Sequence, residues 1–577
     1  MNAARTDRSS GGVSHLLPVL EWLPRYDRRW LRGDLLAGIA VTALIVPKNL
    51  GYAGIAGVPL ENGLYAAAAG AIIYALFCTS RQISTGPSSS LAAVAGGAVL
   101  ANSLGGQEAA QLVAAITIVT GVLFLLMALF KMGWIAQFLS KAVITGFLAG
   151  AAIDVTIGEL PKLTGTSSSG DSAWRELATW IQGLDEISGT TLVVGLVSLG
   201  VILGLRFAAP VVPGALVLVV GGLLASSLFD LGAHGVALVG DVPRGLPSPA
   251  LPNWDLVRTH FSTIGIASAA LLLIGFSQTA GDARAFATRH RYRIDVNQES
   301  VAQGMANVGA GVFQGMPVST SLSASSLNEA AGARTPVASL TTGGLVLLTL
   351  IVLAPVFSHL PKAVLAAVII DAVVFGMIDV AEIRRLHRVA RFDFWIAIAA
   401  ILGVLSVGVL AGVAVGVALS LAWLIYVATS PRMPVLGREP GTQVFRELDD
   451  HPGDETFSGI GVVRLDSGLF FATAEALDSR VRAVIQESDP RLHALVLDLE
   501  GVDFVDSQGA AKLAELHEVA GADGVTLRLA RAKPQVVATL EADGIVAALG
   551  DDHIHGNVHE AVEAQLADDR RADRPAS

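Results

Sequence analysis

The chain has 577 residues, of which 52% are hydrophobic and only 15% are charged. A soluble protein of this size carries roughly a quarter charged residues, so the composition excludes a wholly soluble protein. The formal net charge of −11 argues against a nucleic-acid partner. The apolar stretches lie between residues 35 and 427, and an acidic, globular composition follows. The sequence therefore predicts one domain in the membrane and one in water.

The membrane domain is predicted to contain fourteen apolar segments, most of them near the length that a helix needs to cross a bilayer. These segments are 35–55, 62–78, 86–103, 111–130, 135–157, 189–206, 211–229, 262–283, 298–312, 317–331, 336–355, 361–377, 392–408 and 410–428. With the N-terminus in the cytoplasm, eighteen Lys and Arg residues fall on the cytoplasmic side and five on the other. This bias predicts a multi-pass protein of the cell membrane whose two ends are both cytoplasmic.

The predicted boundaries follow from this pattern. They comprise a cytoplasmic N-terminal segment (1–33), a transmembrane transport domain (34–429), a linker (430–440), a small α/β domain (441–566) and a disordered tail (567–577).

Two of the segments contain Gly, Pro and hydroxyl residues where a continuous span would face lipid. They are 83–90 and 314–321, and their prolines, Pro87 and Pro317, are 230 residues apart. Matched interruptions of this kind are typical of an inverted repeat whose broken helices meet at the membrane midplane. The repeats are expected at about 34–230 and 260–429.

A half-helix that starts at either proline would expose unpaired N–H groups and the positive end of its dipole. Two such ends facing each other form an anion site without a formal charge. The hydroxyl residues that would add donors are Ser88, Ser89, Ser90, Ser319, Thr320, Ser321 and Ser323. The alternative is that these residues only cap helices and pack closely; their matched placement in the two breaks favours the site.

Two further stretches carry a family resemblance. The sequence VPKNLGYAGIAGVP at 46–59, followed by GLY at 63–65, is similar to the first-helix motif of the sulfate permease (SulP) family, and 313–336 resembles that family's tenth helix. The resemblance implies seven plus seven inverted helices, divided into a core and a gate domain. It also implies a homodimer in the lipid bilayer that moves a small inorganic anion by an elevator mechanism. By position, it assigns Tyr52, Ser88 and Ser323 to the anion pocket.

Three positions depart from the family pattern. Lys48 stands where the family usually has Gln, Ala324 where many members have Arg, and Gln278 where an acid is common. A Lys near the midplane costs about 3 kcal/mol unless it is paired or hydrated. We therefore expect Lys48 to replace the missing Arg as the pocket cation. Asp282, one turn after Gln278, would pair with Lys48 or carry the coupling proton or sodium ion; alternatively, Lys48 snorkels and Asp282 caps a helix end.

The predicted site contains no metal and no cofactor. Its substrate-binding residues are Lys48, Tyr52, Ser88, Ser89, Gln278, Thr320, Ser321 and Ser323, and its coupling-ion candidate is Asp282. Asp371, inside another apolar segment, is a weaker coupling candidate, and Arg206 is assigned to the cytoplasmic charges.

The C-terminal region alternates strand and helix patterns. Strands are expected at 459–465, 468–472, 494–499 and 525–530, and helices at 474–486, 508–520, 535–541 and 559–568. Residues 496–509 resemble the motif of the STAS domain, which is shared with bacterial anti-sigma-factor antagonists. Gln508 stands where those regulators carry a phosphorylated Ser, and Ser507 is expected to cap the following helix. His553, His555 and His559 are expected to be solvent-exposed rather than to bind a metal.

The function favoured by these features is secondary transport of an anion, with sulfate first and bicarbonate or a dicarboxylate second. A proton- or sodium-coupled nucleobase carrier would share the membrane fold but would not account for the STAS domain. A membrane-tethered anion sensor that acts through the STAS domain is the alternative from another class. An enzyme is not expected, since the sequence has no Walker motif, nucleophile elbow or metal cluster.

Overall fold

A computed structural model describes residues 17–132, 140–167, 172–209, 212–240, 245–488 and 490–572. The chain divides into two compact units, one ending at Ser420 and one beginning at Leu421. We call them the membrane unit and the C-terminal unit. Most of the predicted N-terminal segment (1–16, with Arg5 and Arg8), Arg244 of the predicted outer side, and residues 573–577 of the predicted tail lie outside the described residues.

The first half of the membrane unit is helical, with one short strand. Its elements are α1 (Val19–Trp22), α2 (Leu31–Ile55), α3 (Leu60–Phe77), β1 (Thr85–Pro87), α4 (Ser89–Ala101), α5 (Gly106–Leu129), α6 (Lys141–Thr164), α7 (Ala173–Gln182), α8 (Gly189–Ala208) and α9 (Gly214–Phe229).

The second half repeats the pattern of helices around one short strand. Its elements are α10 (Trp254–Thr259), α11 (Phe261–His290), α12 (Val296–Val312), β2 (Val318–Thr320), α13 (Leu322–Ala330), α14 (Val337–Val352), α15 (Lys362–Met377), α16 (Val380–Val389), α17 (Arg391–Val407) and α18 (Val409–Thr429).

Many of these helices could span a bilayer. Among the described residues, eight helices are long and apolar enough to cross a membrane, and α4, α9 and α14 are shorter apolar helices. Each of the fourteen predicted segments contains a helix. The segment predicted at 317–331 consists of β2 and the nine-residue α13, which is too short to cross on its own.

Helices in the membrane unit approach closely at glycines. A Cβ on Gly63 would collide with the backbone oxygen of Asn49, and a Cβ on Gly146 would collide with the backbone of Ala397. Lipid provides no hydrophobic force between helices, so backbone contacts through small residues become the main source of packing. At Gly63 this contact fixes α3 against the part of α2 that carries Lys48.

The two interrupted segments meet as a pair of antiparallel strands. Thr85 lies opposite Thr320, and Pro87 lies opposite Val318. Each strand leads directly into a short helix, α4 or α13. The predicted interruptions are therefore present, and neither segment runs straight across as one helix.

The predicted starting points of the two half-helices are wrong. Pro87 lies in β1 and Pro317 precedes β2, because the chain pairs as strand before each helix begins. The helices instead start after the capping residues Ser88 and Ser321. Ser88 and Ser321 are 233 residues apart. Because both are helix caps, they are equivalent positions in the two halves, whereas the two prolines are not.

The C-terminal unit is built on a parallel sheet in the order β5 (Ile460–Arg464), β6 (Ala494–Asp498), β7 (Thr526–Ala530) and β8 (Ile554–His555). A separate antiparallel pair is formed by β3 (Leu436–Arg438) and β4 (Phe445–Glu447). The helices are α19 (Ala474–Glu487), α20 (Ser507–Ala522), α21 (Pro534–Asp543), α22 (Ile545–Leu549) and α23 (Val558–Ala572).

Alternate strand residues face two hydrophobic cores. Val463 and Leu497 pack with residues of α19 to α22 on one face, while Val462 and Val496 pack with α23 on the other. This is the period of two expected for a strand covered on both sides.

Three boundary predictions in this region are corrected. The predicted linker 430–440 contains β3, which pairs with β4. Residues 468–472 form turns rather than a strand, with one bridge from Leu469 to Val505. The tail predicted to be disordered from 567 remains helical to Ala572 because α23 continues.

Candidate functional site

The interrupted segments end in two matching helix N-termini. The Ser88 hydroxyl caps α4 by accepting a hydrogen bond from the backbone N–H three residues later, at 3.4 Å. The Ser321 hydroxyl caps α13 in the same way, also at 3.4 Å. Each capping oxygen lies near the hydroxyl two residues on, at 3.1 Å for Ser90 and 3.3 Å for Ser323. Ser88 and Ser321 are therefore caps, and the same hydroxyl spacing recurs in both halves.

The caps leave backbone donors unused. The N–H groups of Ser89, Ser90, Leu322 and Ser323 have no hydrogen-bond acceptor among the described residues. Unpaired N–H groups at a helix N-terminus, together with the helix dipole, amount to about half a positive charge. Both tips are therefore electropositive without any charged side chain.

Hydrogen bonds fix the two tips relative to each other. The backbone N–H of Ser321 donates to the carbonyl of Ser84 at 3.0 Å, and the N–H of Ser84 donates to the Ser325 hydroxyl at 2.9 Å. The Asn307 side chain donates to the carbonyl of Val318 and accepts from its N–H, both at 3.0 Å. These hydrogen bonds join the two interrupted segments directly and tie the second one to α12.

A cavity of about 590 Å³ opens at these tips. The structure brings all nine predicted site residues to its wall, which are Lys48, Tyr52, Ser88, Ser89, Gln278, Asp282, Thr320, Ser321 and Ser323. They come from four separate parts of the membrane unit, namely α2, the two interrupted segments and α11.

Lys48 lies half-buried in this wall, after Pro47 within α2. Among the described residues, its amine has no hydrogen bond and no carboxylate within 4.0 Å. The same cavity wall holds a second cation, Arg206, which is paired with Asp371. The predicted pairing of Lys48 with Asp282 is absent from the structure: no ion pair joins the two side chains within 4.0 Å, and the Asp282 carboxylate accepts a hydrogen bond from Thr320 instead.

Asp282 is held by the second interrupted segment. Its carboxylate accepts a hydrogen bond of 2.8 Å from the Thr320 hydroxyl. Helix α11 continues beyond it to His290, so the alternative prediction that Asp282 caps a helix end is also wrong. Asp282 thus links α11 to β2 immediately ahead of the Ser321 cap.

An ion pair in the wall was missed by the sequence analysis. The Arg206 guanidinium lines the cavity and donates two hydrogen bonds of 2.7 Å to the two carboxylate oxygens of Asp371. It also lies over the Phe375 ring, with its central carbon 4.4 Å from the centroid. Asp371 is 7% exposed. The available signal in the sequence was the pair of opposite charges in two apolar segments, Arg206 in one and Asp371 in the other. Arg206 lies near a segment end, however, and was counted as cytoplasmic.

Several polar atoms at the cavity lack a partner among the described residues. They are Asn49 Nδ2, Thr85 Oγ1 and Gln278 Oε1, all buried. The other end of the Gln278 amide donates to the Ser90 hydroxyl at 3.0 Å. A buried polar group without a partner costs about 1–3 kcal/mol. This set of donors and acceptors is therefore suited to a polar ligand or to water in the cavity.

The sequence of this chain matches two family models. Residues 31–400 match the sulfate permease family, and residues 452–561 match the STAS domain. The chain belongs to the sulfate permease family. Members of this family are transporters, so this sulfate permease is a multi-pass membrane protein for anion transport and not an enzyme.

Curated relatives resemble this sulfate permease over almost its whole length. A probable sulfate transporter of Mycobacterium tuberculosis is 33% identical over 93% of this chain and 96% of its own. The chloroplastic sulfate transporter 4.1 of Arabidopsis thaliana is 30% identical over 96% of this chain and 83% of its own.

Two solved structures share the fold. The murine solute carrier 26 family member A9, an anion transporter in the inward-facing state, superposes with a TM-score of 0.87 over 97% of this chain and 96% of its own, at 24% identity. The transmembrane domain of a cyanobacterial bicarbonate transporter, BicA, gives a TM-score of 0.58 over 68% of this chain and 98% of its own, at 22% identity.

The STAS domain of this sulfate permease differs from the prediction in the residue that caps α20. Asp506, not Ser507, caps α20, since its carboxylate accepts from the N–H of Gly509 at 2.7 Å. Ser507 is the first residue of that helix and Gln508 the second.

His553, His555 and His559, which were expected to be exposed, are half-buried. Burial and the adjacent Arg528 lower the pKa of His555, whose Nε2 lies 3.2 Å from the Arg528 guanidinium. Within the described ranges, no group of three or more His, Cys, Asp or Glu residues could hold a metal ion.

Proposed function

We propose that this sulfate permease is a secondary active transporter of sulfate, which it holds between the N-termini of α4 and α13. The observation that carries the proposal is the pairing of β1 with β2, which holds two electropositive helix tips at one cavity. Helix N-termini favour anions, and Lys48 adds a full positive charge that no carboxylate within 4.0 Å neutralises among the described residues. The Ser88, Ser89, Ser321 and Ser323 hydroxyls add donors.

Asp282 is the proposed carrier of a coupling proton. Moving charge against the membrane potential costs about 2.3 kcal/mol per charge per 100 mV, so inward movement of a divalent anion needs a compensating cation. Asp282 lines the same cavity and is bonded to Thr320 beside the α13 tip. A proton on Asp282 would reduce the charge that moves with sulfate; a sodium ion bound there would do the same.

The proposed architecture is an inverted repeat of seven plus seven segments that works as an elevator. The antiparallel strand pair and the equivalent caps Ser88 and Ser321 support the repeat. The cavity is lined by residues of α2, α4, α11 and α13, and also by Arg206 of α8 and Phe375 of α15. In this proposal the first group belongs to a mobile core and the second to a gate. The protein forms a homodimer, and its STAS domain lies in the cytoplasm.

Tracer uptake by the purified protein in liposomes tests the substrate. We expect labelled sulfate to accumulate when the outside is more acidic than the lumen, and we expect unlabelled sulfate to compete better than bicarbonate or a dicarboxylate. If bicarbonate or a dicarboxylate is taken up in preference to sulfate, that anion and not sulfate is the substrate. Tight anion binding without flux would contradict transport and favour an anion sensor that acts through the STAS domain.

Replacing Asp282 by Asn is expected to uncouple transport. Because the amide can keep a hydrogen bond with Thr320 but cannot take up a proton, sulfate exchange should persist while accumulation driven by a pH gradient falls at least tenfold. Asp154→Asn is the matched control, since Asp154 is also an acid in an apolar helix but does not line the cavity. If Asp282→Asn accumulates sulfate like the parent protein under a pH gradient, Asp282 does not carry the proton; the same test with a sodium gradient covers the other ion.

A further inference from the structure

A basic stripe runs along the short helix α16 between two apolar helices. Arg384, His387 and Arg388 are exposed and spaced so that they share one helical face, and exposed Arg391 continues the spacing at the start of α17. Within the described ranges, none of the three arginines has a carboxylate within 4.0 Å. The stripe is therefore a concentration of positive charge without an internal partner.

The acids nearest to the stripe are already engaged elsewhere. Glu382, on the buried face of α16, pairs with Arg385 at 2.8 Å and with Lys141 at 3.2 Å. Asp379 caps α16 by accepting from the backbone N–H of Glu382 at 2.9 Å. Asp393, in the first turn of α17, forms no ion pair within 4.0 Å with Arg384, Arg388 or Arg391 among the described residues. The stripe is thus open to an external anion.

An apolar cleft adjoins the stripe. It has a volume of about 710 Å³ and is lined by Ile383, Arg384, His387, Arg388 and Phe394. The rings of His387 and Phe394 pack edge to face at 4.9 Å, and Phe394 packs against Trp395 at 5.5 Å. Trp395 is 64% exposed. A lining that combines cationic and apolar side chains suits a ligand that is itself charged at one end and apolar at the other.

The sequence around α16 indicates that this cleft lies at the membrane surface. The apolar helix α15 ends only three residues before α16, and the apolar α17 starts directly after it. An amphipathic helix with Arg on its polar face and aromatic residues beside it is typical of an interfacial segment. Trp and Tyr concentrate at this depth of a bilayer, and basic clusters there attract anionic lipids.

We propose that the cleft beside α16 binds an acidic phospholipid. The phosphate would accept hydrogen bonds from Arg384 and Arg388, and the beginning of an acyl chain would contact Ile383 and Phe394. The charge complementarity between the unpaired arginines and the lipid phosphate identifies the ligand class. The inference stands apart from the proposed transport function, because none of these residues lines the anion cavity.

Native mass spectrometry of the full-length protein can test this site. The protein is released from detergent that contains equimolar phosphatidylglycerol and phosphatidylcholine. We expect the parent protein to retain phosphatidylglycerol several-fold more than phosphatidylcholine, and Arg384→Gln/Arg388→Gln to retain at least fivefold less phosphatidylglycerol. Arg384→Lys/Arg388→Lys should keep most of the retained lipid, because it keeps the charge.

The matched control is Arg32→Gln/Arg293→Gln, which removes the same charge from exposed positions away from the stripe. Equal lipid loss in the control and the stripe variant would overturn the site in favour of general electrostatics, and unchanged retention in the stripe variant would overturn it outright. Displacement of the lipid by free glycerol phosphate would identify a soluble phosphate site instead. Loss of a dimer mass together with the lipid would identify a protein interface. In phosphatidylcholine alone, we expect Arg384→Gln/Arg388→Gln to unfold at the same temperature as the parent protein. This result would show that the variant is folded.

Discussion

Replacement of Lys48 by Gln is expected to raise the KM for sulfate by about ten- to a hundredfold. The amine lies in the cavity wall without a carboxylate within 4.0 Å among the described residues, so its charge is available to an anion. A hydrogen bond to a charged group contributes about 1.5–3 kcal/mol, and each 1.4 kcal/mol corresponds to a tenfold change in affinity. Tracer uptake in liposomes over a range of sulfate concentrations measures the effect.

Two further variants test whether the effect of Lys48→Gln comes from the loss of a positive charge in the cavity. Lys362→Gln is the matched control, because Lys362 is an exposed Lys at the start of α15 and does not line the cavity. Lys48→Gln/Ala324→Arg restores the residues that many members of the family carry at these two positions, and Ala324 also lines the cavity. We expect this double variant to recover part of the lost affinity. Full transport with an unchanged KM in Lys48→Gln alone would contradict the role of Lys48 as the pocket cation.

The interrupted segments could be predicted because their signals are local. Gly, Pro and several hydroxyls occur together where an apolar run should continue, and Ser is a preferred residue before a helix start. The family resemblance then assigned Tyr52 to the anion pocket. It also singled out Lys48, because the family usually has Gln at that position. The structure brings these residues to one cavity; their binding of an anion remains a proposal.

The remaining features depend on packing that a single sequence does not encode locally. The strand pairing joins residues more than 230 positions apart, which shifted the helix starts away from Pro87 and Pro317. Whether a carboxylate lies close enough to pair with Lys48 depends on the rotation and position of α2 relative to α11 and α15. Sequence spacing placed Asp282 one turn from Gln278, but only tertiary packing shows that Thr320 binds Asp282 and that Arg206 binds Asp371.

Breaking the Arg206–Asp371 pair is expected to affect both stability and transport, with different effects for the two partners. Arg206→Gln leaves the Asp371 carboxylate, 7% exposed, without its partner, and removal of one partner of a buried pair costs about 3–5 kcal/mol. The free carboxylate would also attract Lys48, so the KM for sulfate should rise. Asp371→Asn should cost less stability, because the Arg206 side chain is 37% exposed and water in the cavity can hydrate it. Thermal unfolding and uptake kinetics measure the two effects.

The double variant Arg206→Gln/Asp371→Asn decides whether the two residues act as a pair. Both charges are then absent, so no buried carboxylate is left unpaired, and we expect the unfolding temperature to recover most of the loss seen in Arg206→Gln. The KM should also fall towards the parent value, since no unpaired carboxylate is then left to compete with sulfate for Lys48. Arg571→Gln is the control: it breaks an exposed pair with Asp568 at 3.4 Å, and exposed pairs contribute about 0–1 kcal/mol. A double variant no more stable than Arg206→Gln would mean that the two side chains are not energetically coupled. The position of Arg206 in the cavity wall would then need an explanation other than its pairing with Asp371.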